Sequence, residues 1–79
     1  MTDDYSDRHP ATQQIMRWFA YDHLPEGLIR DTSITCWNTA CIMVDNLPDD
    51  PELVTGLRKL LEAKDAFVRT AVAAGKATP

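Results

Sequence analysis

Cysteine, glycine and positive charge are all scarce in this chain, and each shortage removes a class of protein. Cys36 and Cys41 are the only cysteines. If helical, they sit about 140° apart and face different directions, which disfavours a bridge between them. With His9 and His23 scattered as well, there is no close C-x-x-C or H-x-x-x-H pair for zinc. The thiols read as free cysteines of a reducing compartment. The glycines number three and none belongs to a phosphate-binding loop, while no nucleophile stands beside an evident base; no catalytic residue and no cofactor are expected. Eight Lys and Arg against twelve Asp and Glu leave a net charge of -4. That balance disfavours gripping duplex nucleic acid, where a basic face supplies most of the affinity. A few local arginines can still hold a small phosphate ligand. No apolar run approaches the ~20 residues that cross a bilayer, so no membrane span is expected, and the acidic opening residues are unlike a signal peptide. A cytosolic protein is the expectation.

What the chain does contain is helical periodicity. Residues 1–8 carry three aspartates and read as a mobile acidic tail or an arm laid on another surface. Pro10 to Phe19 places Ile15, Met16 and Phe19 at helical spacing. The segment Tyr21-Asp22-His23-Leu24-Pro25 breaks that helix, because a residue before proline leaves the helical region. A second helix is expected from Pro25 or Glu26 to about Asn46, with Gly27 as a modest cost within it. Its apolar arc is wide: Ile29, Cys36, Ala40, Met43, Val44 and Leu47 form one stripe, and Ile34, Trp37 and Cys41 extend it. After Leu47-Pro48-Asp49-Asp50-Pro51, Asp50 suits a cap and Pro51 the first helical position of a third helix. That helix is expected to reach about Ala74, with Gly75 as its breaker and residues 76–79 frayed. The predicted architecture is thus all-α, a single domain over 9–75 in which a short N-terminal helix folds against a long antiparallel helical hairpin. A chain this small buries only about 60% of its unfolded surface, so a staple is expected, and self-association is the simplest.

One cation does not fit its surroundings. Leu53, Leu57, Leu60, Leu61, Phe67, Val68, Ala71 and Val72 gather on one arc of the third helix, and Lys64 points near the middle of it. Its ammonium must be paired, drawn out to solvent along its long stem, or reserved for an anionic ligand. Arg58 and Arg69 flank the stripe and form either a two-point anionic grip or a self-neutralised face with Glu62 and Asp65. Small residues on the other flank, Gly56, Ala63, Ala66, Thr70 and Ala73 with Lys59 among them, permit close approach of another helix or simply reflect helix propensity. Trp18, Phe19, Tyr21 and Trp37 suit a core or an interface. Tyr21 stands out because it lies in the broken segment with His23 and Arg30 nearby, and a ring with an arginine is what a nucleobase with phosphates requires.

The run Phe19-Ala20-Tyr21-Asp22-His23, the following Pro25, the proline-acidic turn and the block Leu57-Arg58-Lys59-Leu60-Leu61-Glu62-Ala63 resemble the helical-hairpin domain of bacteriophage sponge proteins that counter the CBASS and Thoeris defences. The resemblance covers residues 9 to 74. It implies a non-enzymatic homo-oligomer, often a hexamer, that sequesters a cyclic nucleotide signalling molecule between subunits in the host cell cytoplasm. The family's base-stacking tyrosine would fall on Tyr21 and its phosphate-contacting basic residue near Arg30, with Thr32 as a hydroxyl partner. This chain departs from the pattern by placing Asp22 before His23 and by an added H-P-x-T at His9, Pro10 and Thr12. The ligand-binding candidates are therefore Tyr21, His23, Arg30, Thr32, Arg58, Lys59, Lys64 and Arg69. The competing expectation is a small helical module that binds and inhibits a host protein.

Overall fold

The computed structural model describes residues 5–76, which form three α-helices and no strand. The first helix, α1 (Pro10–Met16), has proline at its start, and the His9 Nδ1 caps it by accepting from the Ala11 amide at 3.0 Å. It tightens into a 3-10 turn over Arg17–Phe19 and stops at Ala20, whose backbone is extended. The second helix, α2, spans Leu28–Asn46. It opens later than the proline rule suggests, because Gly27 takes φ 142°, a conformation available to glycine but not to a helix interior. Gly27 is the residue before the helix, not one within it, and its carbonyl accepts the first helical bond from Asp31 at 2.9 Å.

The third helix, α3 (Pro51–Lys76), begins as its sequence demands: the Asp50 side chain accepts from the Glu52 amide at 2.8 Å, and Pro51 takes the first position. It runs through Gly75 instead of stopping there. Glycine ends a helix by turning left-handed, and Gly75 has no positive φ. At about 1.5 Å per residue its 26 residues set the long axis of a body measuring 47 × 24 × 17 Å.

The core joins all three elements. Met16 and Phe19 from the first segment, Cys36, Ala40, Cys41 and Val44 from α2, and Leu53 and Leu57 from α3 are buried in one cluster. Leu60, Leu61 and Trp37 pack around it while half-buried. Filling such positions with Phe, Leu and Val contributes about 1.5–3 kcal/mol each. The wide apolar arc of α2 is only partly used, since Leu28, Ile42 and Met43 remain exposed, as does Leu47 just beyond it. Phe67, which belongs to the apolar stripe by pattern, is 57% exposed. The stripe is longer than the elements available to cover it. No helix among the described residues is long and apolar enough to cross a membrane.

Of the expected N-terminal tail, residues 5–8 lie on the body. Tyr5 packs against the core, and Arg8 donates to the Val44 carbonyl, to the Leu47 carbonyl at 2.9 Å and to Asp49 Oδ1 at 3.1 Å. Those two carbonyls belong to the unsatisfied end of α2, where a cation is favoured. Asp49 completes the clasp, accepting from the His9 amide and from the Thr12 hydroxyl, each at 3.1 Å. Arg8, with those two donors, holds the Asp49 carboxyl below its ordinary value, against the partial desolvation that would raise it. The H-P-x-T run is thus a helix cap and a fastening. Residues 1–4 and 77–79 of the expected tail and frayed end lie outside the described residues.

Candidate functional site

The break between the first segment and α2 carries a cluster of ring and cation. Because the backbone leaves the 3-10 turn extended at Ala20, Tyr21 is turned towards α2 rather than along the preceding helix. A Leu24 amide bonded to the Tyr21 carbonyl at 2.9 Å then closes a tight turn over Asp22 and His23. On α2, Arg30 and Trp37 stand seven residues apart, two turns along one face. The Tyr21 and Trp37 rings are 6.2 Å apart and inclined at 59°, a favourable tilted contact. The Arg30 guanidinium lies over the Tyr21 ring, 5.5 Å from its centroid.

Arg30 is the unusual member of this group. Its Nε is buried without a hydrogen-bond partner, and the ion pair formed among the described residues is instead Arg8–Asp49. An arginine that keeps a buried donor unmatched, with no carboxylate to neutralise it, is an incomplete site by ordinary hydrogen-bond accounting. An anionic oxygen would complete it. One turn further along α2, the Ser33 hydroxyl is also buried and unmatched.

The long stem of Lys64 carries its ammonium to an exposed edge of the stripe, where it finds a backbone partner. Its Nζ donates to the Trp18 backbone carbonyl at 2.7 Å and lies 5.9 Å from the centroid of the Phe19 ring. The carbonyl comes from the 3-10 turn, where helical partners run out. Burial raises the Cys36 thiol, and the nearby Lys64 charge opposes that rise. Cys36 and Cys41 are both buried, and no disulfide joins them.

The remaining candidates lie elsewhere. Thr32 is about 200° around α2 from Arg30 and bonds back to the Leu28 carbonyl at 2.8 Å. With Thr35, Thr39 and Thr70 it lines an open groove of about 460 Å³ between α2 and α3, bordered by Leu28 and Phe67. His23 is exposed in the turn. Arg58, Lys59 and Arg69 are exposed on α3, and among the described residues neither Arg58–Glu62 nor Asp65–Arg69 closes to an ion pair. The structure therefore gathers Tyr21 and Arg30, adds Trp37 to them, and leaves Thr32 and the α3 arginines apart. The signal for Trp37 was present as its two-turn spacing from Arg30. Among the described residues, no group of three or more His, Cys, Asp or Glu gathers to hold a metal. No family model, curated protein or solved structure matches this chain.

Proposed function

We propose that this protein is a phage counter-defence sponge of the anti-CBASS and anti-Thoeris kind, which binds cyclic nucleotide immune signals and sequesters them without cleaving them. The observation that carries the reading is Arg30, held against the Tyr21 ring with a buried donor that has no acceptor. Phosphate supplies the missing acceptor and a nucleobase extends the stack, each stacked base contributing roughly 1–3 kcal/mol. A sponge requires affinity alone, and a nanomolar dissociation constant corresponds to about 12 kcal/mol. In this reading α2 and α3 are the arms of a helical hairpin, and copies assemble as a homo-oligomer, a hexamer by resemblance, in the host cell cytoplasm. The exposed Leu28 and Phe67 beside an open groove suit such assembly. His23, Thr32, Arg58, Lys59 and Arg69 then reach ligand only through a neighbouring subunit.

The test is to incubate the purified protein with cyclic dinucleotides, cyclic trinucleotides and cyclic ADP-ribose isomers, then record the melting temperature and identify the molecule released on denaturation. A raised transition with intact ligand released supports capture, whereas no shift with any of them, or recovery of a cleaved product, rejects it. Tyr21→Ala and Arg30→Ala should abolish retention. A second reading, a small module that inhibits a host protein, is favoured by Trp18, which stands 66% exposed in the 3-10 turn that precedes Tyr21. It predicts that Trp18→Ala, and not Arg30→Ala, removes a stable protein complex.

A further inference from the structure

We propose that Lys64 is the positioning residue of the Tyr21–Arg30–Trp37 cluster: by holding the Trp18 carbonyl from α3, it sets the direction in which the chain leaves the 3-10 turn and so fixes the Tyr21 ring. The inference rests on the sponge reading for its ligand, but its structural half stands without one.

The geometry assigns the task to this side chain. The Lys64 bond to the Trp18 carbonyl, at 2.7 Å, spans 46 residues of sequence and ties the segment before α2 to the middle of α3. Phe19, completely buried, lies under the same ammonium at 5.9 Å. One residue later Ala20 is extended, and the next residue is Tyr21. Beyond Tyr21 the Leu24 amide holds the Tyr21 carbonyl. The backbone that carries the ring is therefore tied on both sides, by a local turn after it and by a long-range bond before it.

A cation suits that place for two reasons. Carbonyls at the end of a helical turn carry partial negative charge and have no partner of their own. The ammonium also has further donors and a ring face to rest on. An apolar side chain of similar length would fill the stripe but leave the Trp18 carbonyl to water, and the exit at Ala20 would keep only its local bond, the Ala20 amide to the Arg17 carbonyl at 3.4 Å. Lys64 thus acts on the ligand through Tyr21.

The experiment uses the full chain with Trp18→Phe as background, so that Trp37 is the sole indole of the two in the sequence. Lys64→Met keeps the stem and removes the donor, and Lys64→Arg restores a donor of similar reach. Leu53→Ala destabilises the same helix about 16 Å away, three turns from Lys64, and controls for simple loss of stability. Near-ultraviolet circular dichroism reads the Tyr21–Trp37 pair without any ligand, and retention of cyclic dinucleotides and trinucleotides reads the site. Lys64→Met should stay helical, lose the tyrosine–tryptophan band and retain nucleotide about threefold less well, as the modest net worth of one exposed hydrogen bond predicts. Lys64→Arg and Leu53→Ala should preserve both. An unchanged band in Lys64→Met overturns the proposal, and so does an equal loss in Leu53→Ala. Should the parent protein retain no nucleotide at all, the sponge reading fails, while the band comparison still decides the role of Lys64.

Discussion

Two phenylalanines with the same apolar credentials should behave oppositely when truncated. Phe19 is completely buried in the core beside Met16 and under Lys64, so Phe19→Ala removes a ring and leaves a cavity, at a cost of about 3–5 kcal/mol. A chain of 79 residues is stable by roughly 4–12 kcal/mol in total. The loss is therefore a large part of the whole, and the melting temperature should fall by roughly 12 °C or more. Phe67 is 57% exposed, and Phe67→Ala should change stability by no more than about 0.5 kcal/mol, with better helix propensity partly offsetting lost contact. Both variants would be melted by far-ultraviolet circular dichroism at two protein concentrations about a hundredfold apart, because assembly makes the transition concentration-dependent. A Phe67→Ala penalty that appears only at the higher concentration identifies Phe67 as buried between copies. If Phe67→Ala costs as much as Phe19→Ala at both concentrations, the division of the apolar stripe into covered and uncovered halves is refuted.

The clasp at the N-terminal segment predicts acid sensitivity of a definite sign. Arg8 and its companion donors hold the Asp49 carboxyl below its ordinary 3.8, so its stabilising effect is fully present above that value and disappears as pH falls through the lower folded-state pKa. Melting temperatures followed from neutral pH into that range should show the parent protein losing its advantage over Asp49→Asn; an advantage undiminished at the acid end would contradict the clasp. The glycines offer a backbone test. Gly27→Ala meets no atom within 4 Å yet must adopt φ 142°, and should destabilise by about 1–3 kcal/mol. Gly56→Ala, equally unobstructed but inside α3, should stabilise by about 0.5–1 kcal/mol, and urea titration of both variants checks the opposite signs.

Much of the architecture was legible because its signals are local. Asp50 and Pro51 start α3 through a side-chain oxygen and a preset φ, neither of which needs a distant partner. The break after Phe19 was equally plain. Gly27 and Gly75 were harder, since glycine permits several conformations and packing selects among them: one is left-handed before α2, the other helical within α3. For the site, proximity along the chain brought Tyr21 and Arg30 to notice, but Trp37 required the fold to bring its ring to Tyr21.

The amino-acid sequence by itself determined that this chain is helical, where α1 and α3 begin, that the chain breaks after Phe19, and that Lys64 is out of place on its stripe, because periodicity, capping and the proline constraint act over a few residues. Only the tertiary structure decided what relieves that misfit. The Trp18 carbonyl that accepts from Lys64 comes from 46 residues away, and no pattern of spacing encodes a partner that is a backbone atom. The same holds for the clasp, where Arg8 meets Val44, Leu47 and Asp49. Long-range pairing depends on how the elements pack, and packing depends on the whole chain at once.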